Sequence, residues 1–118
     1  LHAVTDALLG ACAAGDIGNW FPDTDPDYRD ADSRQLLKTV VRSPQLRGWA
    51  VVNLDATVIA EQPKLAPHIP AICASLAGLL GVAKTAVSVK AKTAEGLGPV
   101  GEGKALEARV VVLLEARK

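Results

Sequence analysis

A chain of 118 residues that is 49% hydrophobic can bury one core, and its 13 basic side chains cancel its 13 acidic ones. That balance argues against a nucleic-acid footprint and against a charged membrane-surface patch. No stretch approaches the ~18 to 20 apolar residues of a spanning helix, and the start lacks the tripartite pattern of a signal peptide, so the chain reads as soluble and intracellular. We take residues 1–118 as a single domain, small enough that oligomerisation would help cover its apolar surface. Cys12 and Cys73 each sit within an apolar helical pattern without ligand-like neighbours, and read as buried thiols of a reducing compartment.

The opening residues predict a helix. Ala3, Val4, Ala7, Leu8, Ala11 and Cys12 supply a broad apolar surface, while His2, Asp6, Leu9 and Ala13 recur at helical spacing and put His2 and Asp6 one turn apart. Gly15 is the expected stop. Leu1 carries no capping residue before it and the chain has no Met, so the start reads as a cut. Next comes a loop in which Asp16, Asp23, Asp25 and Asp27 stand among Gly18, Trp20, Phe21, Pro22 and Pro26, denser in carboxylates and stiffer than a solvated linker. By residue type alone those aspartates serve their own backbone as readily as a ligand, and one imidazole does not make a metal site.

Asp32 with Gln35 resembles a capping box for a second helix bearing Leu36, Leu37, Val40 and Val41; Pro44 limits or kinks it and Gly48 closes the segment. From Trp49 to Ala60 the period becomes two, with Ala50, Val52, Leu54, Ala56, Val58 and Ala60 on one apolar face: a strand. After a loop from Glu61, Pro67 is expected to open a helix with Ile69, Ile72, Leu76, Leu79 and Leu80 inward, ending at Gly81. Strands are expected from Ala86 to Thr93 and from Lys104 to Ala116, joined by a glycine-rich loop. This alternation implies an α/β sandwich, a small mixed sheet with helices on one face. Trp49, Val51, Ile59, Val111 and Leu113 leave the second face partly apolar, as a face that meets other subunits would be.

Two glycine patterns are refused. Gly96 to Gly101 fits G-x-G-x-x-G and Gly98 to Lys104 the start of a P-loop, but both motifs must open a helix, and the residues after Gly103 have a strand period, with Ala105 where the P-loop needs a hydroxyl. The Asp23, Asp25, Asp27 triplet begins like a calcium loop and fails at Tyr28 and Arg34.

The run HAVTDALLGACAAGDIGNWFPDTDPDYRDADS resembles the family of 2-C-methyl-D-erythritol 2,4-cyclodiphosphate synthases, and VVNLDATVIAEQPKLAPHIP (51–70), VSVKAKTAEGLG (87–98) and GEGKALEARVVVLL (101–114) agree with it in order. The resemblance spans the chain, apart from an N-terminal strand with an Asp-x-His pair and a His-Ser loop that the family carries upstream. It implies a homotrimer whose sheets face the threefold axis around a hydrophobic cavity able to hold an isoprenoid diphosphate, and a cytoplasmic location, or the plastid stroma in a eukaryote. It implies an intramolecular phosphoryl transfer on 4-diphosphocytidyl-2-C-methyl-D-erythritol 2-phosphate that expels CMP.

On that resemblance His2 is a ligand of a zinc-type ion whose other ligands lie in the upstream pair, and Asp6 is either its orienting partner or a solvated carboxylate. Asp16, Ile17 and Gly18, with Phe21, Pro22, Asp23, Thr24 and Asp25, match substrate-contacting positions. Ala60, Glu61, Gln62, Pro63, Lys64, Leu65 and Ala66 match the cytosine pocket, which in the family comes from a neighbouring subunit. Thr93 matches a phosphate-polarising hydroxyl and Glu95 the carboxylate of a second ion, Mg²⁺ or Mn²⁺. On residue type alone, Lys92, Thr93, Ala94 and Glu95 form an ordinary polar rim as readily as a phosphate site. The chain departs from the family in its shortened loop, PVGEGKA, which lacks an Arg that meets the phosphates, and in Lys92 and Ala94 where threonines are usual; Lys92 is taken to restore the lost charge. The competing reading is a non-catalytic trimeric binder of cytidine nucleotide or isoprenoid diphosphate.

Overall fold

The computed structural model describes residues 1–26, 31–62 and 64–117. They group into two compact units, Leu1–Asn53 with Val112–Lys118, and Leu54–Val111.

The first unit opens with α1 (His2–Ala11), which ends earlier than Gly15. Ala13 takes the left-handed position, with φ 55°. Its N–H reaches Gly10 O at 3.1 Å and that of Ala14 reaches Leu9 O at 2.8 Å, the double bond of a Schellman cap. Glycine would be easier there, because an L side chain at positive φ crowds its own backbone. The apolar run sets the helix, but the cap geometry stops it one turn early. A single turn, α2 (Ile17–Trp20), then interrupts what was expected to be loop, and contacts α1. Next come α3 (Ser33–Val41) and α4 (Pro44–Arg47), the latter opened by Pro44 at its first position and closed by Gly48. The Asp32 carboxylate caps α3 by accepting from Arg34 N–H at 2.9 Å; the expected bond to Gln35 N–H comes instead from the Asp32 carbonyl, also 2.9 Å. α1 contacts α3, and Val4, Leu8 and Leu9 on one and Leu36, Leu37 and Val40 on the other are buried. Each such side chain contributes roughly 1.5–3 kcal/mol of burial.

From Leu54 onward β1 (Trp49–Ile59) pairs in parallel with β2 (Val87–Lys92), Leu54 opposite Val87 through Ile59 opposite Lys92. Between them runs α5 (Ile69–Leu80), which contacts β2 and ends at Gly81 with φ 70°. Pro67 falls in a 3₁₀ turn, Ala66–His68, and Pro70 is the proline in the first turn of α5: two prolines three apart let the chain tighten before the α-helix begins. Leu76, Ala77 and Leu80 are buried while Ile69, Ile72 and Leu79 are half-buried. The alternation read for β2 holds, Val87, Val89 and Ala91 being more covered than Ser88, Lys90 and Lys92. Its first expected residue, Ala86, belongs to a 3₁₀ turn.

The sheet order is β2-β1-β3, with β1 (Trp49–Ile59) central and β3 (Glu107–Ala116) at the edge. Arg117 closes the end of β3 on the start of β1, its N–H and Nε–H donating to Gly48 O and Trp49 O, each at 2.9 Å. β3 therefore runs against β1, and the sheet is mixed. Leu106, Val111 and Leu113 on or before β3 and Trp49 and Val52 on β1 are exposed. The glycine loop includes one turn, α6 (Gly98–Gly101), before the chain extends into β3. Among the described residues no helix is long and apolar enough to cross a membrane. Cys12 and Cys73 are half-buried free thiols; Cys12 Sγ–H lies 3.4 Å from Leu8 O.

Candidate functional site

In the first unit a cavity of about 250 Å³ is lined by His2, Ile17, Gly18, Phe21, Asp23, Ala31 and Leu36. Helix α1 presents His2 at its exposed first position, and α2 supplies Ile17 and Gly18. Phe21 is 7% exposed and forms an apolar wall, its ring 6.3 Å from that of Trp20. Trp20 in turn donates from Nε1 to Ala14 O at 2.9 Å, which clips α2 to the end of α1.

A one-turn helix cannot satisfy its own N–H groups, and two carboxylates do that work here. Asp16 Oδ1 accepts from Asn19 N–H at 2.8 Å, and Asn19 Oδ1 takes the Asp16 N–H at 3.4 Å. Asp6 Oδ1 accepts from Ile17 N–H at 2.7 Å. Asp6 stays exposed and is not shown against His2, and its carboxylate caps α2. Its sequence signal, an acid within the helix that precedes the run G-D-I-G, is legible only once that run is known to be helical. Pro22 and Thr24 are exposed and Asp25 half-buried, with Asp25 N–H turning back on Pro22 O at 3.0 Å. Asp27 and Tyr28, on which the calcium pattern depended, lie outside the described residues.

In the second unit a cavity of about 280 Å³ opens at the C-terminal ends of the two parallel strands, lined by Ala60, Glu61, Lys64, Leu65, Ala66, Ala91, Lys92 and Thr93. Parallel strands leave their carboxyl ends for loops, which is where α/β sheets commonly bind ligands. Ala60 N–H donates to Lys92 O at 3.0 Å, so the segment after β1 is stitched to the end of β2. Glu61 Oε1 accepts from Ala94 N–H at 2.7 Å, and Thr93 Oγ1 accepts from Glu95 N–H at 3.2 Å. Glu95 is exposed and sits at φ 55°. Gln62 is exposed and not among the lining residues, and Pro63 lies outside the described residues. Ala31, Leu36 and Ala91 line the cavities without having been expected to; Ala91 could have been found from its inward alternation with Val87 and Val89.

On the exposed surface of this unit Lys90 Nζ lies 2.8 Å from Asp55 Oδ2, and that hydrogen bond holds the Asp55 carboxyl below its ordinary range. Asp32 is likewise lowered, first by the backbone N–H of Arg34.

A metal needs converging donors. Among the described residues no three His, Cys, Asp or Glu side chains come together as an ion would require. His2 on its cavity wall fits as one ligand; the residues described do not complete a site around it.

The chain is thus a mixed α/β domain protein with a pocket at the carboxyl ends of its parallel strands and a second pocket against its first helix, the layout of a small-molecule enzyme. Residues 1–115 match the YgbB family. The chain is 56% identical over 115 residues to the 2-C-methyl-D-erythritol 2,4-cyclodiphosphate synthase of Dechloromonas aromatica, covering 98% of itself and 72% of that protein. It is 57% identical over 114 residues to the synthase of Verminephrobacter eiseniae, covering 97% of itself and 62% of the relative. Among solved structures it superposes on the bifunctional IspDF of Campylobacter jejuni with TM-score 0.92 at 35% identity, over 98% of this chain and 31% of that one. A CDP-bound 2C-methyl-D-erythritol-2,4-cyclodiphosphate synthase superposes with TM-score 0.86 at 39% identity, over 97% and 73%. The chain belongs to the YgbB family of 2-C-methyl-D-erythritol 2,4-cyclodiphosphate synthases.

Proposed function

We propose that the protein carrying this chain converts 4-diphosphocytidyl-2-C-methyl-D-erythritol 2-phosphate to the cyclic diphosphate and CMP, acting as a phosphorus–oxygen lyase of isoprenoid precursor synthesis. A 2-phosphate oxygen attacks the β-phosphorus, the bond from that phosphorus to the bridging oxygen breaks, and CMP leaves with that oxygen and its charge. No water is consumed and no proton must be moved between carbons. Positioning and charge screening therefore carry the catalysis.

The observation that supports this most is the cavity at the strand ends, where Lys64, Lys92 and Thr93 surround one space with Ala60, Glu61, Leu65 and Ala66. Lys64 and Lys92 bring positive charge to a diphosphate, and the backbone of 60–66 reads the cytosine. Thr93 receives Glu95 N–H on its oxygen, which leaves its O–H to donate to a phosphate oxygen. In the other cavity Asp23 and the backbone of Gly18 bind the sugar hydroxyls against Phe21, with the loop positions Pro22, Thr24 and Asp25 following on and Asp16 holding α2 in place behind them. A divalent cation goes with the family; His2 would hold one, zinc in our reading, and Glu95 a second, Mg²⁺ or Mn²⁺, and when bound they screen the approaching phosphates.

We further read residues 1–118 as one catalytic domain of a cytoplasmic homotrimer, with the exposed Val111 and Leu113 turned to the threefold axis and its cavity open to an isoprenoid diphosphate. Incubation of the full-length protein with the diphosphocytidyl substrate and a divalent ion should release CMP and the cyclic diphosphate, followed by phosphorus NMR. CMP binding without turnover would favour the non-catalytic binder, and absence of both would refute the assignment.

A further inference from the structure

We infer that Glu61 is a positioning residue whose carboxylate ties the base-reading segment to the turn carrying Thr93 and Glu95, so that the nucleotide side of the cavity holds the phosphate side in shape. The inference rests on the function proposed above and deepens it by giving Glu61 a task directed at the protein rather than at the substrate.

The turn is unusual in its backbone. Leu97 N–H donates to Ala94 O at 3.0 Å, and both residues between them are left-handed, Glu95 at φ 55° and Gly96 at φ 77°. Two positive φ values in succession are the pattern of a type I′ turn, which glycine, asparagine or aspartate accept easily. Glutamate does not: its longer side chain lacks the local backbone bond that eases this conformation in asparagine or aspartate. A residue kept there must be held by its surroundings.

Four restraints are present. The Ala94 N–H that opens the turn donates to Glu61 Oε1 at 2.7 Å, a charge-assisted bond in a part-buried setting between residues 33 apart. Next to it, Ala60 N–H donates to Lys92 O at 3.0 Å, so main chain and side chain of successive residues grip successive parts of the strand end. Thr93 Oγ1 accepts from Glu95 N–H at 3.2 Å. Behind the turn, Gly101 closes so tightly that a Cβ there would lie 2.2 Å from the carbonyl carbon of Gly96. Of these, the Glu61 bond alone joins a side chain of the 60–66 segment to the turn. Without it Ala94 N–H loses its acceptor, Glu95 can relax to a right-handed φ, and the Thr93 hydroxyl on the cavity wall, tied to Glu95 N–H, shifts with it.

The test uses the full-length protein with Glu61→Ala and Glu61→Gln, titrated calorimetrically with CMP and with CDP. The wild type should prefer CDP. Glu61→Ala should lose about fivefold more affinity for CDP than for CMP, and Glu61→Gln, whose amide oxygen still accepts from Ala94, should recover most of that difference. Equal losses for both nucleotides, or none for either, would overturn the coupling, since a general packing role would not separate them. A ligand-free readout runs beside it: hydrogen exchange at the Ala94 and Glu95 amides should quicken by about tenfold or more in Glu61→Ala while β1 amides stay protected, and unchanged exchange would overturn the tie itself. A wild type that binds neither nucleotide would remove the proposed function and with it the coupling, leaving the exchange result to decide the mechanical tie.

Discussion

The two cavities differ in how many acids surround them, yet in both the acids turn to backbone N–H groups. Around the first, carboxylates abound, yet Asp6 and Asp16 accept from Ile17 and Asn19 backbone N–H groups and so belong to the scaffold. What lines that cavity is one imidazole, one carboxylate and an apolar wall. Around the second, acids are few: Lys64 and Lys92 set the charge, and Glu61 is turned onto the Ala94 N–H. A short helix must have its N–H groups satisfied before anything else, whereas strand ends arrive with most of theirs already paired. The number of carboxylates in a loop therefore overstates what a ligand meets.

The contrast can be broken most sharply at His2. In the full-length protein, His2→Ala should lower turnover about a hundredfold, as loss of a metal ligand or its support does, while CMP affinity measured by calorimetry stays within about twofold. A parallel fall in CMP affinity would mean that the two cavities do not divide the chemistry. Lys92→Ala should weaken CDP by about five- to tenfold and CMP less, the difference shrinking as salt rises. Asp6→Ala, by removing the acceptor for Ile17, should cost about 1 kcal/mol in urea unfolding, with Asp6→Asn recovering part of it.

Smaller changes sharpen the picture further. Ala13→Gly relieves an L residue at φ 55° and should stabilise by about 0.5 kcal/mol, since the strain removed exceeds the extra entropy of the unfolded glycine. The smallest effect belongs to acid. Asp32 and Asp55 have lowered carboxyl pKa values in the fold, so what they add to stability is complete above about pH 4 and is lost as pH falls through their folded values. Asp32 is exposed and the Asp55 side chain about half so, and unfolding midpoints for Asp55→Asn and the wild type should converge on acidification by only a small amount.

Much of this protein was readable along the chain. The period of two in β1 and β2, the stripe of α3, the stop at Gly81 and the strand after Gly103 all come from where apolar side chains recur, because each element must bury one face. The motif runs named His2, Ile17, Gly18, Phe21 and Asp23 among the candidate residues, and the fold brings those five to the wall of one cavity. Misplaced were the ends: α1 stops at Ala11 because Ala13 turns left-handed, and α5 begins only at Ile69 because a 3₁₀ turn takes Pro67. Boundaries depend on a few backbone bonds that no periodicity encodes.

Sequence by itself settled the order of the longer helices and the three strands, since that is a local property of residue type and spacing, and it named the segments proposed to carry polar chemistry. Only tertiary structure decided what each acid does. Whether Asp6 or Glu61 meets a ligand or a backbone N–H depends on partners 11 and 33 residues away, and a hydrogen bond at that separation exists only once the chain has folded.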